Sequence, residues 1–377
     1  MSADAALRVA LGRRGYDIHI GAGLLRRAGS LIAPVIRQKR TVVVTDAHVA
    51  PVYLAGLTAS LDAEGIAHHA IVLPPGEETK GFAHFARLCE DILTLGIERG
   101  TALIALGGGV VGDLTGFAAA TLLRGIDYVQ VPTTLLAQVD SAVGGKTAID
   151  TPQGKNLVGA FHQPVLVLAD TATLATLPGR ELRAGYAEIV KYGVVKDAEF
   201  FAWLETHGTA LIAGDIAARD HAVRRSLEIK ARVVAADERE SGERQILNFG
   251  HSFGHALEAE TGFGAALLHG EAVALGMCLA GDLAARLGHW PASDAARVRR
   301  LLAGAGLTTA LSALPPAARD PARLFAHMKR DKKVRNGRVT LILPRRIGEV
   351  LVTADVASDT LGDFLAAAGT GATTLTL

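Results

Sequence analysis

Three histidines and a glutamate in the second half of the chain have the residue types of a divalent metal site. His251 and His255 lie four residues apart in the run NFGHSFGH, so on a helix they share one face. His269 follows in LHGE, and Glu188 lies upstream in AEIVK. Two histidines, a carboxylate and one open position suit catalytic Zn²⁺. Spacing alone favours His251 and His255 as ligands, and the alternative is that these histidines pack in the interior or lie at the surface.

A glycine-rich turn in the first half predicts a site for a pyrophosphate. GGGVVGD (107–113) follows an apolar strand, precedes a helix and matches G-x-G-x-x-G, whose glycines let the backbone approach phosphates at a helix N-terminus. In the standard dinucleotide fold, the acid that binds the ribose comes about 20 residues later. Here the best strand-end acid is Asp46, which comes earlier. A dinucleotide site would therefore need a variant topology, and the alternative is a turn that serves packing alone.

A third cluster places lysines beside glycines. DSAVGGKT (140–147) and GKN (154–156) combine positive charge with a backbone that a ligand can approach closely, as an anionic, polyhydroxy ligand requires. The P-loop spacing is missing, because position 140 is Asp rather than Gly. PGEETK (75–80) and PTTLLAQVD (132–140) are further polar turns after strands, although helix capping explains the paired threonines equally well.

These clusters lie in two segments of the chain that differ in their predicted secondary structure. Up to Pro178, apolar runs alternate with helical periodicity, which predicts a parallel sheet covered by helices on both faces. Strands are expected at 7–11 and 16–20 (a hairpin), 41–44, 69–73, 101–106, 128–131 and 165–168. From Gly179 to about residue 330 the periodicity is almost only helical. We therefore expect an α/β domain over 1–178, an α-helical domain over 179–362 and a flexible tail over 363–377.

Composition narrows the function classes. The chain has 377 residues, of which 49% are hydrophobic and 20% charged, with a formal net charge of +1. Near-neutral charge argues against nucleic acid as the main partner, and the apolar content argues against disorder. The sequence contains no long uncharged apolar run, so we expect neither a membrane span nor a leader peptide. We expect a cytoplasmic protein in which Cys89 and Cys278, both in helical patterns, are buried thiols.

Six longer runs carry a family resemblance. They are GGGVVGDLTGF (107–117), RGIDYVQVPTTLLAQVDSAVGGKTAID (124–150), GKNLVGAFHQP (154–164), AEIVKYG (187–193), LNFGHSFGHALE (247–258) and LLHGEAVALGM (267–277). Together they resemble the 3-dehydroquinate synthase family of the sugar-phosphate cyclase superfamily, over roughly residues 40–350. The resemblance implies a variant Rossmann-like NAD-binding α/β domain, then an all-α metal-binding domain, in a homodimer.

The resemblance also implies roles for single residues. It assigns the metal, Zn²⁺ or Co²⁺, to Glu188, His251 and His269, and it overrules the spacing argument by giving His255 a substrate or proton-transfer role. Cofactor contacts fall on Asp46, Glu77, Lys80, Gly108, Gly109, Asp113, Thr133, Thr134, Lys155 and Thr176. Substrate contacts fall on Arg124, Asp140, Lys146, Asn156, Lys191, Lys230, Arg244, Asn248, His255 and Lys332; of these, Lys146, Lys191, Asn248 and His255 are implied to be catalytic. Arg124 would reach the substrate phosphate in the partner subunit.

The reaction implied by the resemblance converts 3-deoxy-D-arabino-heptulosonate 7-phosphate to 3-dehydroquinate and phosphate, a step of the shikimate pathway to chorismate and the aromatic amino acids. Transient oxidation of the C5 alcohol by NAD⁺ acidifies the C6 proton, so the phosphate on C7 can be eliminated. The hydride then returns, and the ring closes by an intramolecular aldol step. Three alternatives stay open: a cyclase acting on another heptulose 7-phosphate, a metal- and NAD-dependent polyol dehydrogenase, and an inert paralogue that binds a nucleotide.

Overall fold

Two compact units make up the chain in this computed structural model, which describes residues 6–330, 334–335 and 338–371. Unit 1 comprises Met1–Pro178 and Arg219–Arg239, and unit 2 comprises Gly179–Ala218 and Glu240–Leu377. The sequence prediction assigned all of 179–362 to the second domain. The structure differs at Arg219–Arg239, which groups with the α/β part although its periodicity is helical.

Strands and helices alternate in the first half, and helices dominate the second. The strands are β1 (Leu7–Val9), β2 (Tyr16–Gly21), β3 (Arg40–Asp46), β4 (Ala67–Leu73), β5 (Ala102–Gly107), β6 (Tyr128–Pro132), β7 (Lys146–Thr151), β8 (Gly154–Phe161), β9 (Leu166–Asp170), β10 (Val334–Arg335), β11 (Arg338–Val339), β12 (Leu341–Arg346) and β13 (Glu349–Thr353). The helices are α1 (Ala28–Ile32), α2 (Ala55–Ala63), α3 (Phe82–Thr94), α4 (Gly109–Thr121), α5 (Gly179–Lys196), α6 (Ala198–Ala213), α7 (Ile216–Ala236), α8 (His251–Glu260), α9 (His269–Arg286), α10 (Ala292–Gly304), α11 (Pro321–Arg330) and α12 (Ser358–Thr370).

Unit 1 contains a seven-stranded sheet in the order β1-β2-β9-β6-β5-β3-β4. β1 and β2 form an antiparallel hairpin, and the other neighbouring pairs are parallel. Side chains alternate between two cores along the central strands: Val42 and Val44 pack in one cluster with Leu114 of α4, and Val43 packs in the other with Leu61 of α2. These two cores confirm the prediction of a parallel sheet covered on both faces. Strands buried on both faces must carry apolar side chains on both sides, which is why they read as apolar runs.

The lysine–glycine cluster of the sequence lies on a separate antiparallel hairpin, formed by β7 and β8. The sequence analysis did not predict these strands. Their apolar alternation is weak, since β8 begins Gly-Lys-Asn and has several exposed side chains, so period-2 patterning gave little signal.

Close helix contacts organise unit 2, in which α9 packs against α5 and α8. A Cβ on Gly270 would lie 1.9 Å from the carbonyl oxygen of Ala184, and one on Gly276 would lie 2.1 Å from that of Gly250. Only glycine permits such approaches. Both contacts adjoin residues of the predicted metal site.

Two expectations for the second domain need correction. It is not purely α-helical, because β12 and β13 form an antiparallel hairpin there. The predicted tail over 363–377 begins inside α12, where Phe364 and Leu365 are buried; residues 372–377 lie outside the described part. Within the described ranges, none of the helices combines the length and the apolar character that crossing a membrane requires.

Candidate active site

Glu188, His251 and His269 converge within unit 2. Glu188 comes from the middle of α5, and the histidines are the first residues of α8 and α9. The Oε1 atom of Glu188 lies 3.6 Å from Nε2 of His251 and 3.6 Å from Nε2 of His269. Two ligands held at about 2.0–2.2 Å from one ion in tetrahedral directions are about 3.3–3.6 Å apart. The spacing of these atoms therefore suits a divalent cation between them.

The surroundings of Glu188 also fit a cation. Its side chain is 0% exposed, and Oε2 forms an ion pair with the buried Lys191, one turn further along α5. Oε1 is buried and has no hydrogen-bond partner among the described residues. A buried carboxylate oxygen in that state costs about 1–3 kcal/mol or more, and a metal ion held with the two imidazoles would satisfy it.

The potential at His269 is strongly negative. Burial by itself lowers the pKa of His269, but the carboxylates of Glu258 and Glu188 outweigh burial and raise the pKa to about 10. The site thus stabilises one positive charge, which can be a proton or a cation.

The structure separates the two histidines that spacing paired. His255 lies one turn after His251 on α8, with ring centroids 5.3 Å apart. Among the described residues, no group of three potential ligands contains both: His251 groups with Glu188 and His269, and His255 groups with Glu258 and His269. Nδ1 of His251 is 3.1 Å from the carbonyl oxygen of Phe249, so Nε2 is the atom turned towards the glutamate of α5.

Other predicted substrate residues of unit 2 are buried cations or lie beside the cluster in sequence. Lys191 is 1% exposed and Arg244 is 2% exposed. Arg244 and Asn248 belong to a short 3-10 helix, Glu243–Asn248, directly before α8. Asn248 donates from Nδ2 to Oε1 of Glu240 at 2.6 Å.

In unit 1, the predicted cofactor residues follow the carboxyl ends of neighbouring parallel strands. Asp46 ends β3, Gly108 follows β5, and Thr133 follows β6, with register pairs Thr45–Leu106 and Gly107–Pro132. In the standard dinucleotide fold, the acid that binds the ribose ends the strand beside the glycine turn. β3 occupies that place although it precedes β5 in the chain, which explains why Asp46 comes early.

The glycine turn leaves room for phosphate oxygens. Helix α4 begins at Gly109, with Gly108 as its extended N-cap. A Cβ on Gly108 would lie 3.0 Å from Cγ2 of Thr134, and one on Gly109 would lie 3.1 Å from Oγ of Ser141. The half-buried backbone at this helix N-terminus fits a pyrophosphate.

Buried Lys80 contacts two other predicted site residues in this unit. Its Nζ atom lies 2.7 Å from Oδ2 of Asp113 and donates to Oδ1 of Asn156 at 2.6 Å. Burial lowers the pKa of Lys80, but nearby carboxylates, Asp113 foremost, outweigh burial and raise it, so Lys80 stays charged. Lys155 forms an ion pair with Glu77 at 3.1 Å. Asn156, implied as a substrate contact, thus lies against a residue implied to bind the cofactor.

Buried Lys230 and half-buried Asp140 form a further ion pair in unit 1. Nζ of Lys230, on α7, lies 2.7 Å from Oδ1 of Asp140 and also donates to its backbone oxygen. The two residues are 90 positions apart. Sequence reasoning implied both as substrate contacts but could not predict that they pair.

The remaining predicted residues are more scattered. Thr134 accepts from the backbone N–H of Ala137 at 3.1 Å, and the Oγ1 of Thr176 lies 2.5 Å from the hydroxyl of Tyr53. Lys146 is exposed at the start of β7. Arg124 follows α4 with a φ of 67°. Lys332 lies outside the described residues.

Sequence reasoning missed a clamp at the start of α9. Arg180 contacts both carboxylate oxygens of Glu271 at 2.7 Å, and Oε2 of Glu271 accepts the backbone N–H of Leu268 at 2.9 Å. The clamp holds the residue just before His269. Its sequence signal was Glu271 in the first turn of the helix.

Comparisons with known proteins decide the family. Models for the N-terminal and C-terminal parts of 3-dehydroquinate synthase match residues 70–184 and 185–334. A 3-dehydroquinate synthase of Rhodospirillum rubrum is 62% identical over 358 residues, which cover 94% of this chain and 93% of that protein. The chain belongs to the 3-dehydroquinate synthase family. Another member, from Caulobacter vibrioides, is 54% identical over 362 residues, covering 96% of this chain and 98% of that protein.

Solved structures of other cyclases share the fold of this 3-dehydroquinate synthase family member. 2-epi-5-epi-valiolone synthase of Streptomyces hygroscopicus, with NAD⁺ and Zn²⁺ bound, superposes with a TM-score of 0.85 at 32% identity, covering 93% of this chain and 96% of that one. A 2-deoxy-scyllo-inosose synthase complexed with carbaglucose-6-phosphate, NAD⁺ and Co²⁺ gives 0.84 at 26% identity, covering 96% and 99%. An iron-containing alcohol dehydrogenase shares the fold alone, with a TM-score of 0.67 at 16% identity over 94% and 97%.

Proposed function

We propose that the chain is a phosphate-eliminating carbon–oxygen lyase that converts 3-deoxy-D-arabino-heptulosonate 7-phosphate to 3-dehydroquinate and phosphate. NAD⁺ and one divalent ion, Zn²⁺ or Co²⁺, are its cofactors. The observation that carries the proposal is the convergence of Glu188, His251 and His269 around a buried carboxylate oxygen. The 62% identity to a 3-dehydroquinate synthase supports the substrate.

Residues of unit 2 hold the ion and handle the proton. When bound, the ion would supply Lewis-acid polarisation of a substrate hydroxyl, and the dinucleotide would supply reversible hydride transfer. Glu188, His251 and His269 are the ion's protein ligands in this proposal. His255, one turn from His251, takes the proton from the C5 hydroxyl oxygen through its imidazole. Its half-buried position on the same helix face supports that role.

Charged side chains bind the acidic groups of the substrate. Lys191 and Arg244 are nearly inaccessible to water, where charge-assisted hydrogen bonds to a carboxylate or phosphate are strong. Asn248 adds an amide four residues after Arg244. In unit 1, Lys146, Asn156 and the pair Lys230–Asp140 remain substrate contacts of the proposal.

The carboxyl edge of the sheet binds the dinucleotide. The carboxylate of Asp46 accepts hydrogen bonds from the ribose hydroxyls, and the backbone N–H groups at Gly108 and Gly109 bind the pyrophosphate. The other contacts of the proposal are Glu77, Lys80, Asp113, Thr133, Thr134, Lys155 and Thr176. The charged Lys80–Asp113 pair holds the turn after β4 against α4.

A homodimer in the cytoplasm, with Arg124 reaching the partner's substrate, belongs to the same proposal. It rests on the family resemblance. Size-exclusion chromatography with light scattering tests the dimer, and a monomer at working concentration would contradict it.

Phosphate release tests the function. Purified protein is given the heptulosonate 7-phosphate, a divalent ion and NAD⁺ far below the substrate concentration, with absorbance followed at 340 nm. Phosphate in large excess over NAD⁺, without accumulation of NADH, is expected, because the hydride returns to the product. Stoichiometric NADH without phosphate would instead indicate a polyol dehydrogenase, and activity only on sedoheptulose 7-phosphate would indicate a related cyclase.

A further inference from the structure

The imidazole of His269 lies between two buried carboxylates. Its Nε2 atom faces Oε1 of Glu188 at 3.6 Å, and its Nδ1 atom lies 3.0 Å from Oε2 of Glu258. Glu258 is 1% exposed. It sits on α8 seven residues after His251 and three after His255, so the three side chains share one helix face.

The two separations differ in kind. A distance of 3.0 Å is that of an N–H···O hydrogen bond. A distance of 3.6 Å is too long for one, but it matches the about 3.3–3.6 Å between two ligands of one tetrahedral ion. Glu258 is therefore placed to accept a hydrogen bond from His269, and Glu188 to bind a cation together with it.

We propose that Glu258 is a positioning residue for the metal centre, an inference that rests on the proposed function. It accepts the Nδ1–H of His269 and so fixes the tautomer in which Nε2 carries the lone pair. A neutral imidazole has one N–H, and the partner of that N–H decides which nitrogen can bind a metal. The carboxylate also makes the imidazole a stronger electron donor.

The second histidine is oriented differently. Nδ1 of His251 lies 3.1 Å from the backbone oxygen of Phe249, a neutral acceptor that no side-chain substitution removes. The acceptor at Nδ1 is thus a side-chain carboxylate for His269 and a backbone oxygen for His251. Substituting Glu258 therefore removes the Nδ1 acceptor of His269 and leaves that of His251 in place.

Metal affinity tests the inference directly, by competition with a chromophoric chelator for Zn²⁺ on the full chain. Glu258→Gln keeps an acceptor and loses the charge, so we expect about 10-fold weaker binding; Glu258→Leu loses both, and the loss approaches about 100-fold. The visible spectrum of the Co²⁺-loaded protein should shift in both variants. Thermal unfolding of the metal-free proteins verifies that each variant folds.

Glu260→Gln is the matched control. Glu260 lies on the same helix, its side chain is 1% exposed, and its Oε2 atom lies 3.0 Å from Nε2 of His327, a histidine outside the cluster. It should retain the parent's affinity and Co²⁺ spectrum. An equal loss in Glu260→Gln and Glu258→Gln would show a general effect of buried carboxylates and overturn the proposal.

Two further outcomes separate this inference from the proposed function. If His255→Gln weakens binding as much as Glu258→Gln, then His255, Glu258 and His269 form the ligand set, and the positioning role is wrong. Unchanged affinity in folded Glu258→Gln and Glu258→Leu also overturns it, while the metal centre stands. If the parent takes up no more metal than Glu188→Gln, the metal centre itself is wrong.

Discussion

Buried charges at single positions explain why this site suits a metal. The side chains of Glu188 and Lys191 are 0% and 1% exposed, where an unpaired charge would be strongly destabilising. Lys191 pairs with Oε2 of Glu188, while Oε1 is directed towards the two imidazoles. A cation at that point completes the pairing, so the residue types and their burial agree.

Glu188→Gln should abolish metal binding, because the amide removes the charge that two imidazoles cannot replace. We expect the affinity for Zn²⁺ to fall by more than the roughly 10–100-fold seen when only an outer hydrogen bond is lost. Metal content after dialysis measures it. Glu181→Gln, seven residues earlier on α5, is the control and should keep its metal. Full occupancy in Glu188→Gln would contradict the assignment.

The two cysteines should differ in reactivity, because only the thiolate reacts with iodoacetamide. Burial raises the pKa of Cys278 to about 12, and it also raises the pKa of Cys89, which is only half-buried. At pH 8 both thiols are then largely protonated, so native protein should alkylate slowly at Cys89 and not at Cys278. Raising the pH to 9.5 should accelerate Cys89 alone. Peptide mass spectrometry checks this, and rapid native labelling of Cys278 would contradict its burial.

Among the elements, the N-termini of two helices and the middle of a third form the proposed metal site. The first residues of α8 and α9 supply the histidines, and the middle of α5 supplies the glutamate. The glycine contact between α9 and α5 and the Arg180–Glu271 clamp both act at the start of α9. The position of His269 therefore depends on packing between helices as well as on its own hydrogen bonds.

Gly270→Ala should displace α9 from α5, since the new Cβ would lie 1.9 Å from the carbonyl oxygen of Ala184. We expect the free energy of unfolding to fall by at least about 1–3 kcal/mol. Zn²⁺ binding should weaken as well. Urea denaturation and chelator competition measure the two effects.

Gly362→Ala serves as its control, because α12 leaves open space within 4 Å of that Cβ. At a helical position with such open space, replacing glycine with alanine should raise the free energy of unfolding by about 0.5–1 kcal/mol. Equal behaviour of the two variants would show that close helix contact is not what Gly270 provides.

For the whole molecule, the proposed ligands divide between the two units. The dinucleotide residues lie in unit 1 and the metal residues in unit 2. Unit 1 is built from two stretches of chain: Lys230 and Glu238 of the later stretch contact Asp140 and Arg14 of the earlier one. Each ligand should therefore stabilise the unit that holds its residues.

Hydrogen–deuterium exchange should resolve this effect. At a Zn²⁺ concentration 100 times its Kd, the ion contributes about 2.7 kcal/mol, so amides of α5, α8 and α9 should exchange more slowly. Helices α1 and α2 of unit 1 are the internal control and should change little. Protection confined to unit 1 would place the metal elsewhere.

Local patterns in the sequence determined much of this protein. Apolar runs predicted the strands of the sheet, and Gly107–Asp113 predicted the turn at the start of α4, because both signals depend only on residues close together in the chain. The types of ligand were also readable, since His251 and His255 share a helix face whatever packs on it. The family resemblance then assigned Glu188 and His269, together with His251, as the metal ligands.

Only the tertiary structure decided which side chains meet. Helical spacing defines a face, but the packing of α5 and α9 onto α8, through Gly270 and Gly276, determines that His251 rather than His255 faces Glu188. In the same way, the strand order places Asp46 beside the glycine turn. These pairings join distant parts of the chain, so they depend on how whole elements pack, which a pattern of near neighbours does not contain.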